Sequence, residues 1–446
     1  MPPTVKHRKA SQAWRPGRGV TLAALAQGVA GFLQNVEVST ARGELFIDVV
    51  RDFGLQEGAE VEVHLEKDMS MPVTNNTYIM MLTSSQRSVW ERTSEQPLVN
   101  MNDPDIGPHV FGAYLMAYWR QNFYGSEIHF KHRIRGLGRY NLLMFNGGSR
   151  TDIVVRGNVS VVNPDGQHLK YQDVFLPEVY RSMMWVCVAS AAVAALFLVS
   201  LWRMDRSAVH SLMLATLVCK ACVDLLQWQA YVACSETGSP CAFYDDPSFA
   251  GCIPLLAVKV QEILVLMVYL LLAFGWRILR ATLNIAEIRF AVGIGLISFY
   301  LAIFEVTCVG TQCGGYEMSR LILHSLAYLC ILVAVNFNIT QLKQQISESP
   351  ASQSTGKDYQ RLAAYESYRL LLLVYITNPT WQLLIKLSVL SWQEVWAFQL
   401  TTELADWGLA VALLIIFRPQ KNMQIFELTT PEEDEQVPVQ PAEGQE

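Results

Sequence analysis

Seven stretches of predominantly apolar residues follow one another from residue 182 onward. Each is about 20 residues long, and a helix of that length crosses the roughly 30 Å of hydrocarbon in a bilayer. The predicted helices lie at 182–202, 208–231, 252–275, 288–308, 319–338, 367–389 and 392–417. Only 17% of the residues are charged, whereas soluble domains average about 25%. The chain is therefore predicted to be a membrane protein with a bundle of seven transmembrane α-helices.

The region before the first apolar stretch has a different pattern, in which apolar and polar residues alternate in short runs. These runs lie at 36–39, 45–49, 61–65, 78–82, 140–145 and 153–162. Alternation with a period of two, between turns rich in Gly, Asn and Asp, is typical of antiparallel strands. We therefore predict an all-β sandwich that precedes the helical bundle.

The composition of the chain divides it into four segments. Residues 1–32 combine basic residues with a weakly apolar stretch, which is the pattern of a signal peptide. Residues 33–175 are the predicted β domain, and residues 176–420 are the predicted seven-helix domain. Residues 421–446 are rich in acidic residues, Pro and Gln, so we expect a disordered tail.

Basic residues are concentrated in alternate loops of the predicted bundle. Arg203, Arg277 and Lys343 follow the first, third and fifth helices, and Arg418 follows the last. Loops rich in Lys and Arg stay in the cytosol. The β domain is therefore predicted to face the lumen or the outside, and the carboxyl terminus to be cytosolic.

Two consequences follow for the predicted lumenal side. Asn75 and Asn158 stand in glycosylation sequons, so we expect both to be available for N-glycosylation.

Disulfides persist in an oxidising compartment. Cys252 opens the third helix, and Cys308 and Cys313 follow the fourth. Of the possible pairs we expect Cys252 with Cys313.

Seven ionisable residues within the apolar stretches are the basis of the predicted ligand site. An ionisable group near the centre of a bilayer costs several kcal/mol unless it is paired or hydrated. We expect these side chains to converge in a polar cavity, open to the lumen or to lipid, that is a candidate site for a lipid or small ligand. A set of ion pairs that only fixes helix packing is the alternative. The residues are Lys220, Asp224, Lys259, Glu262, Lys386, Glu403 and Asp406.

Other chemistry has little support in the sequence. No nucleophile elbow, phosphate loop or zinc-protease motif is present, so the chain is predicted not to be an enzyme and to need no cofactor. His129 and His132 are interpreted as surface residues rather than as a metal site. The last predicted helix has no Lys for a retinal Schiff base. No basic face indicates a nucleic-acid partner.

Four segments of the chain resemble one family. Residues 175–180 (FLPEVY) resemble its entry to the bundle, residues 275–280 (GWRILR) its Gly-Trp signature, residues 368–387 its sixth helix, and residues 417–419 (FRP) its exit. This is the GOST family of Golgi seven-transmembrane proteins with a lumenal GOLD-like β domain, also called lung seven-transmembrane receptors.

The resemblance implies a location in the Golgi or endosomal membrane and a role in vesicle-mediated transport or cargo handling. The implied partners are membrane lipids, a lumenal cargo protein or small ligand, and cytosolic sorting machinery. An orphan receptor and an ion channel or transporter of the endomembrane system remain alternatives, because charged bundle interiors also line ion paths.

Overall fold

The amino-terminal part of the chain forms two layers of antiparallel strands. The structure is a computed structural model that describes residues 34–39, 46–67, 77–93, 117–123, 125–146, 154–200, 208–238, 249–280, 282–307, 314–348, 356–388 and 390–418. The strands in these residues are β1 (Gln34–Ser39), β2 (Phe46–Leu55), β3 (Glu60–Lys67), β4 (Thr77–Thr83), β5 (Trp119–Asn122), β6 (Glu127–Arg133), β7 (Gly138–Asn146) and β8 (Val154–Val162). A short helix, α1 (Ser84–Thr93), follows β4.

The strands form two four-stranded sheets with the orders β1-β8-β3-β6 and β2-β7-β4-β5. Every neighbouring pair is antiparallel. Successive strands therefore alternate between the two sheets, except that β4 and β5 pair within one sheet, and this is a jelly-roll arrangement. The core lies between the sheets, where Val61, Val63 and Leu65 of β3 are almost completely buried. Their period of two matches the pleat of a strand with one buried face.

Seven helices in the described residues are long and apolar enough to cross a membrane. They are α2 (Leu176–Ser200), α3 (Ala208–Thr237), α4 (Phe249–Ala273), α5 (Ile285–Thr307), α6 (Gly314–Glu348), α7 (Gly356–Ser388) and α8 (Val395–Ile416). Many large apolar side chains on their outer faces are exposed, among them Val193 and Leu321. Exposed apolar faces are expected where lipid is the solvent.

Aromatic contacts join the sandwich to one end of the bundle. Tyr180 at the start of α2 stacks on Tyr231 near the end of α3, with ring centroids 5.5 Å apart. Both rings belong to the apolar cluster that fills the sandwich. Trp396 at the start of α8 packs against the same cluster. The end of the bundle formed by these three helix termini is called the sandwich end below.

The seven helices and the β domain confirm the predicted fold class. The ends of some helices differ, because polar residues extend them beyond their apolar stretches: α6 continues to Glu348 and α7 begins at Gly356. Strands β5 and β6 and helix α1 were not predicted. The predicted signal peptide, the acidic tail, Asn75 and Cys313 lie outside the described residues.

Candidate ligand-binding site

A buried lysine on α3 joins two helices of the bundle. Lys220 and Asp224 are one helical turn apart and therefore project from one face of α3. The Lys220 Nζ lies 3.1 Å from Asp224 Oδ1 and also forms an ion pair with Glu403 of α8. All three side chains are buried. A charge away from water is stable only when it is paired, so these contacts fix α3 against α8.

Neighbouring polar groups complete this set, which we call the lysine cluster: Lys220, Asp224, Glu403 and their hydrogen-bond partners. The Cys187 thiol on α2 donates to Asp224 Oδ2 at 3.7 Å. The Gln399 amide donates to Glu403 Oε1 at 2.9 Å, from one turn earlier on α8. The cluster therefore links α2, α3 and α8.

A second set, which we call the arginine cluster, links α4, α5 and α6. Arg320 of α6 donates through Nε to Glu305 Oε2 at 2.5 Å and through Nη1 to Glu262 Oε2 at 2.7 Å. Lys259 Nζ lies 3.0 Å from Glu305 Oε1 and 4.0 Å from Glu262 Oε2. Two cations thus face two carboxylates, and the fork of the guanidinium suits this two-sided pairing.

A cavity lies between α3, α4, α7 and α8. It offers about 70 Å³ to the centre of a water-sized sphere, whereas one water needs about 10–15 Å³ by the same measure. Its lining includes Lys220 of the lysine cluster, Glu262 of the arginine cluster and Asp406 of α8. The cavity is therefore a mainly apolar space of a few water volumes, with one residue of each charge cluster and Asp406 on its wall.

Aromatic side chains line the cavity beside these charges. The rings of Tyr269 and Tyr375 stack with centroids 4.7 Å apart, and the Tyr375 hydroxyl lies 3.2 Å from that of Tyr328. Trp407 also lines the cavity and donates through Nε1 to Ser190 Oγ at 2.9 Å. These contacts fix the rings, so the aromatic part of the wall is preformed.

The charges on the α3 and α8 side of the cavity are unbalanced. Lys220 provides one ammonium group, which pairs with Asp224 and Glu403, and Asp406 adds a third carboxyl group that lines the cavity itself. The arginine cluster on the opposite side is balanced. An excess of carboxyl groups beside aromatic faces is a suitable environment for a positively charged ligand.

The charged residues of the lysine cluster lie between the middle of the bundle and its sandwich end. Asp224 precedes Tyr231 and Glu403 follows Trp396 by seven residues each, which corresponds to about 10 Å along a helix axis. Tyr231 and Trp396 contact the core of the sandwich. The charges therefore lie below the β domain rather than at the opposite end of the helices.

Five of the seven ionisable residues predicted to converge lie in two clusters rather than one, and a sixth, Asp406, lines the cavity beside them. The prediction was wrong for Lys386. This side chain is exposed on α7, and its Nζ lies 5.2 Å from the centroid of the Phe398 ring. Tyr375, not a charged residue, is the contribution of α7 to the cavity wall.

The structure also contradicts the predicted disulfide. Cys252 carries a free thiol, and its Sγ lies 3.8 Å from the carbonyl oxygen of Val306. Cys234 at the sandwich end of α3 is disulfide-bonded instead. The other described cysteines are free. The positions of the cysteines in the sequence did not show which of them form a disulfide, because pairing depends on which thiols are close in space.

Sequence reasoning missed Glu305 and Arg320, which hold the arginine cluster together. Both lie within predicted helices but close to their ends, where a charged side chain usually reaches water. A signal was nevertheless present. Glu305 and Arg320 have opposite charges at the adjoining ends of two successive helices, and such ends are close in space when a short loop joins them.

Comparisons with known proteins add little about the site. No protein-family model matches the chain, and no curated protein matches it. Among solved structures, the crystal structure of Exiguobacterium sibiricum rhodopsin is similar, with a TM-score of 0.29 and 14% sequence identity. That match covers 54% of this chain and 96% of the rhodopsin chain. A similarity at this level carries no argument about function.

Proposed function

We propose that this chain is a seven-helix protein of the endomembrane system that binds a small organic cation in the cavity between α3, α4, α7 and α8. The observation that supports this proposal is the excess of carboxyl groups around the cavity. Asp406 lines the cavity beside Lys220, whose ammonium group is already paired with Asp224 and Glu403. A ligand that carries an ammonium group would offset this excess.

The aromatic wall supports the same class of ligand. Tyr269, Tyr375 and Trp407 line the cavity together with Asp406. Ammonium groups bind to the faces of aromatic rings, and the interaction is strongest where water is excluded. An anionic ligand would instead face the excess of carboxylates, so we favour a cation over an anionic lipid headgroup.

The experiment measures thermal stabilisation of the full-length protein in detergent by a series of probes from methylammonium to choline. A ligand that binds only the folded state stabilises it by about 2.7 kcal/mol at 100 times its dissociation constant. We expect at least one probe to raise the melting temperature of the wild type. The Asp406→Asn variant should lose this response.

Lys386→Gln is the matched control, because it also changes one charge in the bundle but at an exposed position away from the cavity. It should respond to the probes as the wild type does. Equal stabilisation of the wild type and Asp406→Asn, or no stabilisation by any probe, would contradict the proposed ligand site.

The role that we propose for the whole protein is membrane trafficking or cargo handling in the Golgi or endosomes. Its support is the resemblance of residues 175–180 and 275–280 to the GOST family. In this role the sandwich binds a lumenal partner and the cytosolic ends of the helices contact sorting machinery. Export of a secreted reporter from cells that lack the protein, with and without re-expression, tests the role. Normal export kinetics without the protein would oppose it.

Cation transport is a second candidate, because the cavity wall carries charges from both clusters. Lys220 and Asp406 lie on one side of the cavity and Glu262 on another. Ionisable groups in succession inside a bundle are typical of ion and proton paths. An ion-dependent current in liposomes that contain the purified protein, lost in Asp406→Asn, would favour transport over ligand binding alone.

A further inference from the structure

The outer face of the sheet β1-β8-β3-β6 carries a compact group of imidazole and carboxylate side chains. In the antiparallel register of β3 and β6, His64 lies opposite His129, and Glu66 lies opposite Glu127. Directly opposite residues project from the same face of a sheet. All four side chains are at least partly exposed there, on the side of the sheet that faces away from the core.

Three of these side chains already have the spacing of metal ligands. His64 Nε2 lies 3.4 Å from Glu127 Oε1 and 3.6 Å from Glu66 Oε1. One ligand atom from each of the three residues lies within 4.8 Å of the others. A tetrahedral zinc ion with bonds of about 2.0–2.2 Å separates its ligand atoms by about 3.3–3.6 Å.

The register also creates an electrostatic problem that a cation would solve. Glu66 and Glu127 are directly opposite each other, and like charges in this position destabilise a pair of strands. Arg156 of β8 lies opposite Glu66 on its other side, so one cation faces two carboxylates. Strand β6 is at the edge of the sheet, and no further strand flanks Glu127 within the described residues.

We propose that His64, Glu66 and Glu127 bind a zinc ion, with water in the fourth position. One imidazole nitrogen and two carboxylate oxygens are ligands that zinc accepts. Calcium prefers six to eight oxygen ligands, which this surface does not supply. The exposed position and the open fourth site imply an exchangeable ion rather than one that the sandwich needs in order to fold.

His129 has a supporting place beside this site. Its Nε2 lies 3.0 Å from Glu62 Oε1, and its ring centroid is 5.8 Å from that of His64. Glu62 thus holds His129 beside the three metal ligands, and His129 itself is not a ligand. The zinc site is on the β domain, so it is independent of the ligand proposed for the bundle.

The test uses the full-length protein in detergent after its free cysteines have been alkylated, since thiolates are competing zinc ligands. Calorimetric titration with Zn²⁺ should show one saturable equivalent, and Co²⁺ should give the visible absorption of a four-coordinate ion. Ca²⁺ should not displace either metal. The variants His64→Ala and Glu127→Gln should each weaken Zn²⁺ binding by about tenfold or more. Changing a residue that only supports a metal ligand already lowers affinity by about tenfold, and the loss of a ligand should cost at least as much.

His132→Gln is the control, because His132 is on the same strand but packs with its ring against Tyr118 and Trp119. It should bind Zn²⁺ as tightly as the wild type. Melting curves without metal show that each variant is folded, and added Zn²⁺ should raise the melting temperature of the wild type but not of His64→Ala. Unchanged Zn²⁺ binding in His64→Ala, or no saturable binding in the wild type, would overturn the proposal.

Discussion

Lys220 on α3 forms a buried ion pair with Glu403 on α8. The same ammonium group pairs with Asp224, so one lysine holds two carboxylates inside the bundle. Removing one partner of a buried ion pair costs about 3–5 kcal/mol, because the other charge is left without compensation. The lysine is therefore the member of this cluster whose loss should matter most.

We predict that Lys220→Met lowers the free energy of unfolding by about 3–5 kcal/mol, since it leaves two carboxylates buried and unpaired. Lys386→Met should change it by less than about 0.5 kcal/mol, as expected for an exposed position. Thermal melting in the same detergent compares the two variants. If both lysines proved equally dispensable, Lys220 would not hold the helices together.

The periodicity of apolar residues explains how much of the fold could be predicted from the sequence. Apolar runs of about 20 residues identify each helix without knowledge of its neighbours, and alternation identifies β3, β7 and β8 in the same way. Strand β6 was missed although Ile128 and Phe130 alternate with polar residues. Its outward residues are all charged or imidazole groups, so the run has few apolar residues.

The candidate site was less predictable, because it depends on how helices rotate against one another. Spacing of three or four residues placed Lys220 beside Asp224 and Lys259 beside Glu262. It did not show that Glu262 pairs with Arg320, which requires the contact between α4 and α6. The zinc site depends in the same way on the register of β3 and β6, since His64 and Glu127 are far apart in sequence.

The cysteines give a second prediction. Cys234 is disulfide-bonded and Cys252 is free. Cys234→Ser should lower the free energy of unfolding by about 2–4 kcal/mol, because an intact disulfide restricts the unfolded chain. Cys252→Ser should have an effect below about 0.5 kcal/mol. Peptide mapping without reduction should recover Cys234 in a cross-linked peptide; recovery of Cys252 in one would reverse this assignment.

Glycosylation tests the orientation that the basic loops predict. Asn158 is exposed on β8, whereas Asn338 on α6 is buried and donates through Nδ2 to the carbonyl oxygen of Ala273 at 2.7 Å. We expect an endoglycosidase to shift the wild type but not the double variant Asn75→Gln/Asn158→Gln.

The control for this experiment is Thr340→Ala, which removes the sequon at Asn338 without altering that asparagine. Thr340 is exposed, so the variant should fold and should keep the full glycan shift. A shift that survives in the double variant and disappears in Thr340→Ala would place the sandwich in the cytosol.

The last prediction concerns acidification and two histidines of the β domain. His168 is buried where the sandwich meets α3, and its backbone N–H donates to the Ser235 carbonyl oxygen at 3.3 Å. Burial lowers the pKa of His168, against a smaller opposing effect of the Val161 carbonyl. Burial also lowers the pKa of His132, and the nearby charge of Arg135 lowers it further.

A histidine with a lowered pKa in the folded state binds fewer protons than it does in the unfolded chain, where its pKa is about 6.5. Protons then favour the unfolded state, so stability should fall as the pH drops below about 6.5 and should be insensitive to these groups above it. Melting temperatures recorded between pH 8 and pH 5 measure this dependence. The double variant His132→Gln/His168→Gln should have a flatter profile below pH 6.5, whatever its stability at pH 8. An equally steep profile in that variant would show that other groups cause the acid sensitivity.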